Sequence, residues 1–100
     1  MSKLLVKAED RLVGAENFIA WKYRIMNIFT EHDLEDFVTG EVEEPTTATT
    51  KATFKRKQAK ARSIIFNSIK DNLVPLIGPL RTPKECYDAL ANLYEKKLHT

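Results

Sequence analysis

Few side chains in this sequence are of the types that bind metals or perform catalysis. The chain has two histidines, His32 and His99, and one cysteine, Cys86, and none of them stands in a Cys-x-x-Cys or His-x-Glu context. Zinc sites require ligands at spacings of that kind. The sequence therefore predicts no metal and no cofactor. Cys86, next to Tyr87 in a helical segment, is expected to be a small core or boundary residue and not a nucleophile.

The sequence also gives little evidence of carboxylate catalysis or of a phosphate-binding loop. Asp33, Glu35 and Asp36 form an acidic cluster, but they fall at the start of a predicted helix, where carboxylates are ordinary partners of the helix dipole. The chain has only three glycines, which leaves no glycine-rich loop to cradle a phosphate. No Ser/His/Asp set can be assembled, so we expect no enzyme and no small-molecule substrate.

The strongest chemical signal is a run of basic residues in one predicted helix: Lys51, Lys55, Arg56, Lys57, Lys60 and Arg62. Phosphate contacts need only Lys and Arg, so this run is a candidate RNA contact surface. Its members fall at scattered angles around the helix, and the nearby aromatic residue, Phe54, is needed for the core. We favour a solvated helix face over a nucleic-acid surface.

Length and composition set the remaining limits. One hundred residues allow one domain, and a content of 43% hydrophobic and 30% charged residues is typical of a globular chain. A single cysteine excludes an intrachain disulfide, and a net charge of +2 does not by itself indicate nucleic acid or an anionic membrane. No apolar run approaches the ~18 residues of a membrane span. We expect no membrane contact and a cytoplasmic or nuclear location.

The stretch from 17 to 31 must organise the elements that carry these residues. With Asn17 as N-cap, a helix over it places Phe18, Trp21, Ile25, Ile28 and Phe29 on one face, which Ile19, Tyr23 and Met26 widen. The apolar arc is then roughly 220°, against about 100° for an ordinary surface helix. The pattern predicts a central, aromatic-rich helix covered on more than one side.

The flanking segments predict a small all-α bundle of about four to five helices. Residues 1–13 form an N-terminal arm whose conformation we leave open, and residues 14–100 form the domain. A short helix over 34–38, with Asp33 as cap and Gly40 as stop, is followed by a threonine-rich loop over 41–50.

Two more helices complete the bundle. A third helix is expected from a cap at Thr49 or Thr50 to about Lys70, and Asp71 to Arg81 should form a helical turn and a loop. Thr82, Pro83 and Glu85 have the N-cap, N1 and N3 pattern of a capping box, which starts the last helix. The residues expected to carry the core are Phe18, Trp21, Ile25, Phe29, Phe54, Ile65, Ile69, Leu90 and Tyr94.

The order of these motifs resembles the Gag polyprotein of copia-type LTR retrotransposons over about residues 12 to 97. The resemblance runs through LVGAENFIAWKYRIMNIF, DLEDFVTGEVEEP, AKARSIIFNSIKDNLVPLI and TPKECYDALANLYEKK. The positions that match are Gly14, Phe18 and Trp21; Val38 and Gly40; Ala59, Ala61, Ile65, Ser68 and Ile69; Thr82 and Glu85; and Leu90 and Tyr94.

The resemblance implies a fold like the N-terminal lobe of a retroviral capsid, which packs against copies of itself in a virus-like particle around RNA. Family members continue into a second helical lobe and a CCHC zinc knuckle, and neither lies in these 100 residues. Much of the family's RNA binding belongs to the knuckle. Two alternatives to a self-assembling structural domain therefore stay open: an RNA-contacting helical module, and a domesticated Gag-derived adaptor that binds a partner peptide.

Overall fold

Five α-helices form within residues 6–40 and 42–95, which are the residues that the computed structural model describes. They are α1 (Phe18–Glu31), α2 (Asp36–Thr39), α3 (Ala48–Phe66), α4 (Val74–Ile77) and α5 (Pro83–Tyr94). Short 3-10 turns lie at Ala8–Asp10, Ala15–Asn17 and Asp71–Leu73, and the described residues contain no named strand. The prediction of an all-α bundle of four to five helices is confirmed. None of the described helices is long and apolar enough to cross a membrane.

The α1 helix supplies the aromatic centre of the core but buries only one of its sides. Phe18, Trp21, Ile25 and Phe29 are fully buried, as side chains repeating every three to four residues should be. Ile19 and Tyr23, which we expected to widen this face, are 43% and 72% exposed. The expectation that Ile19 and Tyr23 widen the buried face is therefore wrong, whereas Met26 and Ile28 are partly buried and pack against the core.

The junction between α1 and α2 is a left-handed turn that the sequence did not signal. Asp33 has a φ of 60°, and the N–H of Leu34 donates to the carbonyl oxygen of Phe29 at 2.8 Å. With the bond from Asp33 N–H to Thr30 this is a Schellman motif, in which an aspartate occupies the usual glycine position. Asp33 therefore ends α1 instead of capping the next helix, and α2 begins at Asp36.

The α3 helix begins earlier and ends earlier than the sequence predicts. Its N-cap is Thr47, whose hydroxyl oxygen accepts a hydrogen bond from the N–H of Thr50. Because the loop offers several threonines of equal capping ability, its composition did not distinguish among them. At the other end the helix stops at Phe66, not near Lys70, since the next residues pair with the N-terminal segment.

That N-terminal segment is part of the core. Leu12 is fully buried and forms a parallel bridge with Ile69. The N–H of Leu12 donates to the carbonyl oxygen of Ser68, and the N–H of Lys70 donates to the carbonyl oxygen of Leu12. Val6 is also buried. The described part of the predicted arm, residues 6–13, thus forms a strap that contains the 3-10 turn Ala8–Asp10 and pairs at Leu12 with the segment after α3.

The α5 helix closes the bundle by packing against α2, α3 and α4. Its predicted start is confirmed: the Thr82 hydroxyl accepts from the N–H of Glu85, and the Glu85 carboxylate accepts from the N–H of Thr82, both at 3.1 Å. Pro83 occupies the first turn. This reciprocal cap satisfies N–H groups that the helix itself leaves without acceptors.

Candidate functional site

In the part of the chain that the structure describes, the residues that could perform catalysis lie apart from one another. Within residues 6–40 and 42–95, no group of three or more His, Cys, Asp or Glu side chains is placed to hold a metal ion. His99 lies outside the described residues. The Cys86 thiol is fully buried near the carbonyl oxygen of Ile77, and burial raises its pKa, so the reactive thiolate is disfavoured.

The six basic residues of α3 point in different directions. Lys55 and Arg62 line a groove of about 710 Å³ between α3 and residues 78–81. Arg56 and Lys60 stand one turn apart on the outer side of the helix, beside Thr53 and Lys57. Lys51 is exposed in the first turn. The structure thus brings Arg56, Lys57 and Lys60 together on one surface and separates them from Lys55 and Arg62.

Arg62 holds the loop that connects α4 to α5. Its guanidinium donates to the carbonyl oxygens of Gly78 at 3.0 Å and Leu80 at 2.9 Å, and it stacks on the ring of Phe66, 4.4 Å from the centroid. These bonds satisfy the backbone carbonyls of the α4 C-cap, Gly78, and of Leu80 in the loop that follows. A phosphate would have to compete with them for the same N–H groups.

The acidic cluster borders the basic outer side of α3. We call the exposed residues Glu31, Asp33, Glu35 and Asp36 the acidic corner, because they surround the α1–α2 junction. The Asp33 carboxylate lies 3.9 Å from the Lys57 ammonium, which marks the boundary between the two charged surfaces. Both side chains are solvent-accessible, so this pair is worth at most about 1 kcal/mol.

A groove of about 350 Å³ runs along this boundary, and we call it the corner groove. Its lining includes Asp33 and Asp36 near the α1–α2 junction and Thr53 and Lys57 of α3. It also includes the rings of Phe37 and Phe54, whose centroids are 5.2 Å apart. Phe37 is nearly buried and Phe54 partly so. The groove therefore combines carboxylates with aromatic rings, which is a suitable environment for a cationic side chain.

Most of the predicted core residues occupy the interior. Phe18, Trp21, Ile25, Phe29, Ile65, Ile69 and Leu90 are buried, whereas Phe54 and Tyr94 are partly buried and pack against the core edge. The corner groove was missed because the acidic cluster was interpreted only as a partner of the helix dipole. Its carboxylates were visible in the sequence, but Asp33 has a left-handed conformation outside both helices, so no helical spacing relates it to Asp36 and Phe37.

The exposed apolar side chains are a further surface feature. Among the described residues the large hydrophobic side chains that are clearly exposed are Val13, Ile19, Tyr23 and Leu76. Ile19 and Tyr23 are four residues apart on α1, so they are neighbours on its outer face. Beside them, Lys22 forms a 2.6 Å ion pair with Glu95 that ties α1 to α5, and this hydrogen bond raises the pKa of Lys22.

Comparison with known proteins adds a family assignment to this geometry. A family model described as gag-polypeptide of LTR copia-type matches residues 25–100. The match takes in α2 to α5 and the second half of α1, whereas Gly14, Phe18 and Trp21 precede it. Neither the search of curated proteins nor the search of solved structures gave a match.

Proposed function

The chain belongs to the gag-polypeptide family of copia-type LTR elements, and we propose that it is a structural Gag domain that self-associates in a retrotransposon virus-like particle packaging RNA. The family match over residues 25–100 is the observation that carries the proposal. In this function the chain supplies an N-terminal capsid lobe, and its principal partner is another copy of itself. We place the assembly in the cytoplasm, with the nucleus as the alternative compartment.

The distribution of exposed side chains supports self-association. Ile19 and Tyr23 present apolar area on the outer face of α1, where no described element covers them. Charged surfaces of opposite sign also lie side by side around the α1–α2 junction and α3. Particles are built from many weak contacts whose combined strength comes from repetition, so modest surfaces of this kind suit the function.

The chemistry of the described residues gives no support for an enzymatic function. The thiol of Cys86 is buried and held in its protonated form, and the carboxylates of the acidic corner are exposed to water. A nucleophilic thiol must be accessible and deprotonated, and general acid or base catalysis needs a group within hydrogen-bond reach of a bound substrate. We therefore assign the domain a structural function, without cofactor, metal or small-molecule substrate.

Sedimentation velocity over about a hundredfold concentration range tests the proposal, because weak contacts reveal themselves by mass action. We expect monomer at low micromolar concentration and a growing fraction of dimers and larger species at the top of the range. Electron microscopy of the full-length protein should show particles. A strictly monomeric chain at every concentration, together with an absence of particles, would favour the peptide-binding adaptor instead.

RNA contact through α3 is the second candidate function, and one observation favours it. The helix carries six basic residues and no acidic residue over residues 48–66. If the α3 helix binds RNA, charge reversal at Lys55, Lys57 and Lys60 should weaken binding of an RNA oligonucleotide. It should also reduce the salt dependence of binding, since fewer counterions are released. Absence of RNA binding by the unmodified chain at low salt would exclude this candidate.

A further inference from the structure

We propose that two copies of this chain dock through a two-fold interface in which Arg56 of each copy enters the corner groove of the other. The inference rests on the proposed self-association and deepens it by naming the contact. It predicts an isologous dimer, because the same two surfaces of each copy take part.

The groove has the chemistry that recognises an arginine. Asp33 and Asp36 place carboxylates on its edge, and planar guanidinium groups pair with carboxylates through two parallel hydrogen bonds. The partly buried ring of Phe54, which packs against the nearly buried Phe37, offers a surface on which a guanidinium can stack. The volume of about 350 Å³ is ample for one side chain of that size.

The charged groups that this contact requires are not held in strong ion pairs within the described residues. Among residues 6–40 and 42–95, neither Arg56 nor Asp36 forms an ion pair, and both are exposed. Asp33 has only the 3.9 Å contact with Lys57. An incoming arginine would therefore meet one unpaired carboxylate and one that is weakly held.

The position of Arg56 favours a two-fold arrangement. Thr53 and Lys57 line both the corner groove and the surface that carries Arg56 and Lys60, so the acidic and basic areas are contiguous. A surface that is acidic on one half and basic on the other is complementary to itself after a half-turn. Both halves are then satisfied at once, and two arginine contacts form for each pair of molecules.

The same contiguity argues for a second copy over RNA as the occupant. A nucleic-acid strand lying on Arg56 and Lys60 would pass close to Asp33 and Asp36, whose negative charges repel phosphate. A protein surface with its own carboxylates and guanidinium groups matches both signs. Electrostatic complementarity of this kind sets the register of an interface.

A charge-swap experiment tests the pairing. Arg56→Glu and Asp36→Arg should each weaken dimerisation about tenfold or more, because each places like charges together at both contacts. An equimolar mixture of the two variants should form a 1:1 heterodimer at least about tenfold tighter than either variant alone, because one contact keeps the native Arg56–Asp36 pair and the other joins the introduced glutamate to the introduced arginine beside the remaining Asp33. Sedimentation equilibrium gives the dissociation constants, and circular dichroism checks that both variants fold.

Two control variants distinguish failure of the Arg56 contact from failure of self-association. Lys7→Glu and Glu9→Arg make the same charge changes at exposed positions of the first 3-10 turn and should leave dimerisation unchanged. Association that neither swap variant weakens would overturn the Arg56 contact and leave self-association standing. Two weakened variants that fail to recover on mixing would overturn the two-fold pairing.

Two further results bear on the occupant. If Arg56→Glu abolishes binding of an RNA oligonucleotide while dimerisation is unaffected, the surface is a nucleic-acid site and the proposal is overturned. An unmodified chain that stays monomeric throughout would overturn the proposed self-association itself.

Discussion

The Trp21 side chain joins three parts of the fold. Its indole N–H donates to the carbonyl and the hydroxyl oxygen of Ser68, each at 3.0 Å, and its ring stacks on Tyr87 of α5 with centroids 6.0 Å apart. The Ser68 hydroxyl in turn donates to Ile65 at 2.8 Å, so this buried polar group is satisfied. Trp21 therefore positions the end of α3 and the face of α5 together.

Replacing this tryptophan should be severely destabilising. We expect Trp21→Ala to lower the free energy of unfolding by about 3–5 kcal/mol, because it leaves a cavity and removes the donor to Ser68. Tyr23→Ala on the exposed side of the same helix should change it by no more than about 0.5 kcal/mol. Urea denaturation followed by far-UV circular dichroism measures both, and equal effects would contradict the assignment of the buried face.

Glu85 gives a pH dependence to the start of α5. The N–H groups of Arg81 and Thr82 donate to its carboxylate, and these bonds lower its pKa from the ordinary value near 4.5. The ionised form is thus favoured in the folded state, so its stabilisation is complete above pH ~4.5 and is lost as the pH falls through the lower folded-state pKa.

Glu85→Gln should therefore lower the melting temperature most at neutral pH, with the difference from the unmodified chain shrinking between about pH 5 and pH 3. Thermal melts across that range measure the difference. Glu9→Gln serves as control, since Glu9 is an exposed acid in the first 3-10 turn and lies outside this cap. A constant difference at every pH would show that the cap acts through packing and not through the charge of Glu85.

Helix ends are well predicted where interactions between neighbouring residues set them. The start of α5 followed from Thr82, Pro83 and Glu85, because a capping box involves only four consecutive residues. The end of α3 could not be predicted in this way. The residues that follow its end pair with Leu12, more than fifty positions away, and no pattern among neighbouring residues indicates that contact.

The strap over residues 6–13 is the element on which this long-range pairing can be tested. We expect Leu12→Ala to destabilise the fold by about 2–5 kcal/mol, since the side chain is fully buried against the core. Val13→Ala, at a neighbouring residue that is 39% exposed, is the matched control and should cost much less. Equal melting temperatures for the two variants would show that the strap contributes little to stability.

The α1 helix shows a different limit of prediction. Its apolar arc of roughly 220° indicated a helix covered on more than one side. Ile19 and Tyr23 nevertheless remain exposed, because a chain of this length has too few elements to cover that much of the helix. The corner groove was also beyond prediction, since it depends on how α3 packs beside the α1–α2 junction. The charged residues that line it were visible in the sequence, but their proximity was not.

The net charge of +2 conceals an uneven distribution of charged side chains over the surface. The acidic corner and the basic outer side of α3 nearly cancel in the sum but remain side by side on the surface. Such a surface favours defined pairing over general attraction to polyanions. A two-fold dimer also closes on itself, so growth into a particle requires at least one further contact surface.

The outer face of α1 is the surface on which we expect that further contact. A standard interface buries roughly 800 Å² on each partner, about an eighth of this chain's 6520 Å² accessible surface, which leaves room for a second contact. The double substitution Ile19→Ser and Tyr23→Ser should leave the dimer intact and remove larger species at high concentration, because it deletes exposed apolar area without touching α3. Asn27→Ser, at an exposed position of the same helix, is the control. Sedimentation velocity separates dimer from larger species, and a distribution of larger species that the double substitution leaves unchanged would place the growth contact elsewhere on the molecule.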